Sequence, residues 1–232
     1  MQRILITGAN RGLGLEFVRQ YLARGERVFA ACRTPRAATE LQALAAAHPN
    51  QLTVLALDVS DSAAIEAADT MVKAHTAALD LLINNAAIAA KDERFGQLDA
   101  ETMLQILAVN SVAPTMVAQR FAALLKAGNT PKLINISSGL GSIARRTSGG
   151  SYSYCTSKAT LNMITRLISF DLALIGVTAI VLHPGWVQTD MGGKNATLTP
   201  GQSIAGMLQV IDGLTPKDSG RFLQWDGGEL PW

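Results

Sequence analysis

Short apolar runs recur along the chain at residues 4–6, 28–31, 52–57, 81–83, 133–136 and 177–182, with longer mixed stretches between them. Within these runs nearly every position is apolar, where a strand with one wet face would alternate, so each predicts a strand covered on both faces. The intervening stretches are helical in pattern. Those at 37–47 and 63–78 are Ala-rich and amphipathic, and Ser60 and Asp61 stand before the second as capping residues. Thr199 followed by Pro200 reads as the N-cap and first position of a helix running to about residue 210, and a short strand at 221–224 completes the series. Strand and helix in alternation predict a single α/β domain over residues 1–232, doubly wound around a central, mostly parallel seven-stranded sheet.

Composition narrows what such a domain binds. The 232 residues are 48% hydrophobic and 16% charged, enough apolar material for one large core and unlike a disordered chain. The net charge is +2 with the cations scattered, which argues against nucleic acid or an anionic membrane as the principal partner. No apolar run is long enough to span a bilayer, and a strand-like segment begins almost at Met1, so no signal peptide is expected. Cys32 and Cys155 are too few for a disulfide framework and lack metal-ligand spacing, as do His48, His75 and His183; a cytoplasmic protein without a metal is expected.

The chemistry gathers where strands end. Gly8, Arg33, Asp58, Asn84, Ser137 with Ser138, and Pro184 with Gly185 follow the first six strands in turn, and in open α/β sheets the ligand crevice lies along those carboxyl ends. The run Thr7-Gly8-Ala9-Asn10-Arg11-Gly12-Leu13-Gly14 stands between the first strand and a helix beginning near Gly12. Glycines there let the backbone approach a pyrophosphate, whose charge a helix N-terminus favours, although a glycine-rich turn also serves purely structural ends. Strand two is followed by Arg33 and not by an acid; an acid would bind a ribose 2′-hydroxyl, whereas an arginine pairs with a 2′-phosphate. Arg11, inside the loop, is placed to meet the same phosphate, so the residues favour NADP(H) over NAD(H).

Tyr154 and Lys158 stand four residues apart on an expected helix, which makes their side chains neighbours. An ammonium beside a phenol favours the phenolate, so the pair is a candidate proton donor and acceptor for a carbonyl or alcohol. By spacing alone it is more often a surface pair. Tyr152 has Thr156 four residues on and lacks a lysine, and Arg145 with Arg146 reads as a solvated loop pair.

Taken in order, these motifs resemble the short-chain dehydrogenase/reductase family along essentially the whole chain. Thr7-Gly8 with Gly12 and Gly14 is similar to the family's cofactor loop, Asp58-Val59 to its adenine-contacting acid, and Asn84-Asn85-Ala86-Ala87 to its Asn-Asn-Ala-Gly segment, with Ala87 in place of the glycine. Val109-Asn110 resembles its helix asparagine, Ile136-Ser137-Ser138 its catalytic serine segment, Tyr154 with Lys158 its Tyr-x-x-x-Lys, and Pro184-Gly185-Trp186-Val187-Gln188-Thr189 the segment after strand six. Residues 148–154 and 183–193, with Leu230-Pro231-Trp232, are most like the Sniffer and C-factor-like carbonyl reductases. Ser138 precedes Tyr154 by sixteen positions, a slightly larger loop than is usual in the family.

The resemblance implies an NADPH-dependent oxidoreductase that reduces a small aldehyde or ketone by hydride transfer. Tyr154 would donate the proton, Lys158 would tune it and bind the nicotinamide ribose, Ser138 would hydrogen-bond the substrate oxygen, and Asn110 would hold a relay water. Cofactor contacts are implied for Gly8, Asn10, Arg11, Gly12, Leu13, Gly14, Arg33, Asp58, Val59, Asn85, Ala86, Pro184, Gly185, Val187 and Thr189. Leu140, Trp186 and Met191 are apolar candidates for the substrate pocket, and Gly192-Gly193 for a small mobile lid. Relatives often pair through the helices around Asn110 and Tyr154, although some carbonyl reductases are monomers, so the resemblance points to a homodimer or homotetramer with a monomer as the alternative. Two other functions stay open. One is a 3-oxoacyl carrier-protein reductase, faintly suggested by Asp226-Gly227-Gly228, and the other is a C-factor-like signalling protein that binds cofactor with little turnover.

Overall fold

The computed structural model describes residues 1–232. Its strands are β1 (Arg3–Thr7), β2 (Arg27–Cys32), β3 (Leu52–Ala56), β4 (Leu81–Asn84), β5 (Lys132–Ile136), β6 (Thr178–His183) and β7 (Phe222–Gln224). They form one sheet in the order β3-β2-β1-β4-β5-β6-β7, and every pairing is parallel. The sheet is thus wholly parallel where a mostly parallel one was expected, because each connection carries a helix long enough to return the chain to the starting edge.

Those helices are α1 (Gly12–Ala23), α2 (Thr39–Ala47), α3 (Ser62–His75), α4 (Ala100–Leu107), α5 (Ala113–Lys126), α6 (Tyr152–Ala173) and α7 (Pro200–Gly213). The helix expected at 37–47 begins two residues late, behind a 3-10 turn over Pro35–Ala37. The one expected at 63–78 is capped by Asp61, whose side chain accepts from the Ala63 amide, and it ends at His75. Thr76 stops it: its hydroxyl exchanges hydrogen bonds with the Ala78 carbonyl and amide at 3.0 and 3.3 Å, a local alternative to another helical turn. Thr199 and Gln202 complete a capping box at the start of α7.

Alternate residues of each strand feed opposite cores. Ile4 and Ile6 pack with Phe17 and Met207 under α1 and α7, while Leu5, between them, packs with Val72, Val117 and Phe121 under α3 and α5. Each such side chain, fully buried, contributes about 1.5–3 kcal/mol. No helix is long and apolar enough to cross a membrane.

Asn84, grouped above with the crevice residues, belongs to this interior. Its amide nitrogen donates to the Pro114 carbonyl at 3.0 Å and to Asn135 Oδ1 at 2.9 Å, and Asn135 in turn donates to the Thr165 hydroxyl at 2.8 Å. This buried chain ties β4 and β5 to α5 and α6. The strand order reverses between β1 and β4, and at such a switch point the two strands' connections leave to opposite faces and open a crevice.

Candidate active site

A cleft of about 870 Å³ runs along the carboxyl ends of the strands. Of the residues singled out in the sequence, Gly8, Asn10, Arg11, Gly12, Leu13, Arg33, Asp58, Val59, Asn85, Ala86, Ser138, Leu140, Tyr154, Lys158, Pro184, Gly185, Trp186, Val187, Thr189 and Met191 line it. Gly14 and Asn110 do not. Each shapes the cleft from one layer behind.

At the β1 end the glycine loop is held by its neighbour across the switch point. The Thr7 hydroxyl accepts from the Asn85 and Ala86 amides at 3.0 and 3.1 Å, while the Asn85 side chain donates to the Thr7 and Gly8 carbonyls at 2.9 and 3.1 Å. Gly14 permits this contact, since a Cβ there would lie 2.2 Å from the Gly8 oxygen. Ala87 replaces the family's glycine without strain, for it is not among the residues with positive φ. The N-terminus of α1 has no side-chain cap and no acid in its first turn, so its amides are free for an anion.

Arg33 is exposed at the end of β2 and faces Asp58. The Ser60 hydroxyl and amide donate to Asp58 at 2.6 and 3.0 Å and, with help from Arg33, hold that carboxyl below the usual range. Arg11 reaches across the mouth to Asp190, at 3.1 Å, in an exposed pair that water screens. Asp190 is a cleft residue with no motif of its own in the sequence.

Three of the catalytic candidates come from the end of β5 and the start of α6. Ser138 follows β5 and stays partly open to the cleft, whereas Ser137 is buried and donates to Asn162 at 2.7 Å. Tyr154 and Lys158 are on the first turns of α6, the Lys158 amine 5.7 Å from the Tyr154 ring centroid and donating to the Ile136 carbonyl at 2.8 Å. Tyr152, by contrast, packs against Phe95 outside the cleft wall.

Burial governs both ionisable groups. It pushes the Tyr154 phenol up to about 12, against a smaller downward pull from the Ser138 hydroxyl. It pushes the wholly buried Lys158 amine down to about 7. The expected lowering of the phenol by Lys158 is therefore not seen in the protein alone, because desolvation penalises the charged form of each.

Asn110 occupies a π-helical segment, Ala108–Val112, between α4 and α5, a departure from regular helix that often accompanies a functional position. Its carboxamide accepts from the Ile88 amide at 2.9 Å and donates to the Ile88 carbonyl at 2.8 Å and to the Ser157 hydroxyl at 3.0 Å. Those bonds fix the start of the segment after β4, whose Ile88, Ala89 and Ala90 form cleft wall that no motif pointed to.

The expected lid at Gly192-Gly193 is a tied turn. The Trp186 indole donates to the Gly192 carbonyl at 2.7 Å, the Gly192 amide to the Thr189 hydroxyl at 3.1 Å, and the Gly193 amide to the Thr189 carbonyl at 2.8 Å. A Cβ at 192 would sit 1.9 Å from the Val187 oxygen, so only glycine closes the turn. Trp186, Leu140 and Met191 are each about half exposed and make an apolar rim at the mouth. His183 ends β6 with its Nδ1 sealed and without a partner, and burial drives its pKa down to about 4. It stays neutral behind Gly139. Arg146 donates to the Ser148 and Gly149 carbonyls, and neither it nor Arg145 lines the cleft.

This arrangement has close counterparts. The NADPH-bound carbonyl reductase from chicken fatty liver superposes with a TM-score of 0.94 at 40% identity, covering 100% of this chain and 99% of that one. The carbonyl reductase Sniffer of D. melanogaster superposes with a TM-score of 0.96 at 37% identity over 100% of both chains. By sequence, the C-signal protein of Myxococcus xanthus is 43% identical over 157 residues, covering 68% of this chain and 95% of that protein. The family model described as short chain dehydrogenase matches residues 2–198, and with that match the chain belongs to the short-chain dehydrogenases.

Proposed function

We propose that the protein is an NADPH-dependent carbonyl reductase acting on a small aldehyde or ketone. The observation that carries this reading is the meeting of Ser138, Tyr154 and Lys158 with the glycine loop along one cleft. The dinucleotide fits the residues present: the uncapped start of α1 offers amides to a pyrophosphate, and Arg33 offers a cation where a 2′-phosphate would lie. When bound, it supplies the hydride that goes to the carbonyl carbon.

The protein's own residues supply the rest. Tyr154, with its phenol held up at about 12, is protonated at neutral pH and so begins as the donor to the carbonyl oxygen. Ser138 donates a second hydrogen bond to that oxygen as charge develops. Lys158, whose amine is drawn toward the neutral form by burial, regains charge beside the anionic cofactor while it holds the nicotinamide ribose. Asn110 acts through the Ile88 backbone and supports a relay water near Lys158. Val187 and Thr189, on the tied turn, would hold the carboxamide of the nicotinamide ring. The apolar rim of Leu140, Trp186 and Met191 suits a carbonyl compound with an aromatic or conjugated body.

The location belonging to this reading is the cytoplasm, where Cys32 and Cys155 would stay reduced. Met163, Leu167 and Phe170 lie exposed along one face of α6, with Leu174 exposed just past its end, a stripe suited to a second copy of the chain, and sedimentation of the purified protein reads that assembly.

NADPH oxidation, followed over a panel of aldehydes, ketones, quinones and acyl thioesters, tests the function. Turnover with simple carbonyls is expected. Activity confined to thioesters would replace the reading with a 3-oxoacyl reductase, and tight cofactor binding without turnover would favour a signalling role like the one the name C-signal suggests. In the same assay Arg33→Asp should lose most of the preference for NADPH over NADH, by roughly tenfold or more for a charge-assisted contact turned repulsive. Unchanged selectivity would remove Arg33 from the cofactor argument.

A further inference from the structure

We infer that Glu93 is a positioning residue for the proposed reaction, capping the helix that carries Tyr154 and clamping the cleft wall to it. The inference rests on the carbonyl-reductase reading and adds to it a residue outside every motif.

Helix α6 begins without a cap of its own. Ser151, its N-cap residue, is in the left-handed region at φ 48° and ψ 43°, and its side chain makes no capping bond. A capping serine ordinarily adopts extended backbone so that its oxygen can accept from the first turn. The preceding Gly150 also has positive φ, so the chain enters α6 through two successive left-handed residues. The vacant capping role is taken by Glu93, sixty residues earlier. Its carboxylate accepts from the Ser153 amide at 3.0 Å and from the Ser153 hydroxyl. Ser153 is fully buried, the second residue of the helix, and Tyr154 follows it directly. No acid lies in the first turn of α6 itself, so Glu93 also supplies the negative charge that a helix N-terminus favours.

The same contact fixes the opposite wall. The segment that starts at Ile88 is pinned at that end by Asn110 and at the other by Glu93, with Phe95 packed on Tyr152 at 6.4 Å just beyond. Ala89 and Ala90, between the two pins, line the cleft. One carboxylate thus ties the helical turn that carries Tyr154 to the stretch of cleft wall between Ile88 and Glu93. Loosening it lets the first turn of α6 fray, and misplacement of a proton donor by about an ångström can cost up to a hundredfold in rate.

The test uses the full chain and the variants Glu93→Ala, Glu93→Gln and Ser153→Ala. Hydrogen exchange at the 153–155 amides, with and without NADPH, reads the cap; kcat, KM and the NADPH Kd read its consequence. For Glu93→Ala, exchange at those amides should quicken and kcat fall by about tenfold, while the NADPH Kd stays within about twofold. Glu93→Gln, whose amide oxygen can still accept from the Ser153 amide, should recover most of both losses. Ser153→Ala, which keeps the amide and loses the hydroxyl, should fall between them, and combined with Glu93→Ala it should add little. Unchanged exchange at 153–155 in Glu93→Ala would overturn the inference whatever the kinetics. So would a loss of protection and NADPH affinity spread through the whole protein. A wild type that binds NADPH without reducing any carbonyl would sink the carbonyl-reductase reading alone, and the exchange data would still decide the cap.

Discussion

Tyr154→Phe is expected to lower carbonyl reduction by roughly two to four orders of magnitude while the NADPH Kd stays within about twofold. The substitution deletes one hydroxyl and keeps the ring that packs at the start of α6, so fold and cofactor loop are left intact. The proposed reaction needs a proton on the carbonyl oxygen, and the phenol is the ionisable group of the cleft that stays protonated at neutral pH while lying beside Ser138. Phenylalanine leaves only Ser138 to stabilise the oxygen, and its hydroxyl, a far weaker acid than a phenol, gives up its proton much less readily. Single-turnover NADPH oxidation measures the loss, and quenching or enhancement of NADPH fluorescence on titration measures the binding. A phenylalanine variant with wild-type turnover would sink the assignment of Tyr154 as donor.

The cofactor-free protein should gain stability as pH rises from about 7 toward 10, on the order of a few kcal/mol, and lose it again above. Lys158 has a folded pKa lowered by burial to about 7 from 10.5. Below about 7 it is charged in both states, and the folded protein bears the full cost of a buried ammonium. Between 7 and 10.5 the unfolded chain binds more protons than the folded one, so stability climbs with pH. Tyr154 acts in the other direction. Its folded pKa is raised from 10.0 to about 12, so above pH 10 the unfolded chain releases a proton that the folded one keeps, and stability falls. Thermal unfolding between pH 6 and 11 should therefore show a maximum near 10. In Lys158→Met the rise should flatten, whereas the same slope in that variant would show that another group carries the titration. NADPH present in excess should also shrink the rise, since an anionic ligand restores charge to Lys158.

Much of the fold was legible because both faces of the sheet are covered. Ile4, Leu5 and Ile6 are all apolar since successive side chains enter different cores, and that produces the continuous runs from which the strands were read. Helix ends were less legible: Thr76 halts α3 through a hydroxyl that competes with the backbone, and Pro35–Ala37 forms a tighter turn before α2. In the cleft, residues that follow strands were found from their position, yet Asn84 occupies the same kind of position and is buried structure. An asparagine at a strand end has one appearance in sequence, whether its carboxamide faces a ligand or a neighbouring strand.

The βα alternation, the glycine loop after β1, Arg33 after β2 and the closeness of Tyr154 to Lys158 were all readable from the chain, because each depends on residues a few positions apart. Tertiary structure decided what each group meets. It buried Lys158 against the Ile136 carbonyl, turned Asn110 onto Ile88, tied the Gly192 turn to Trp186, and brought Glu93 to Ser153 from sixty residues away. Local pattern reports periodicity and capping because these arise from bonds within one turn or one strand. Desolvation and contacts distant in sequence arise only when separate elements pack, so the ionisation and placement of these side chains were settled there.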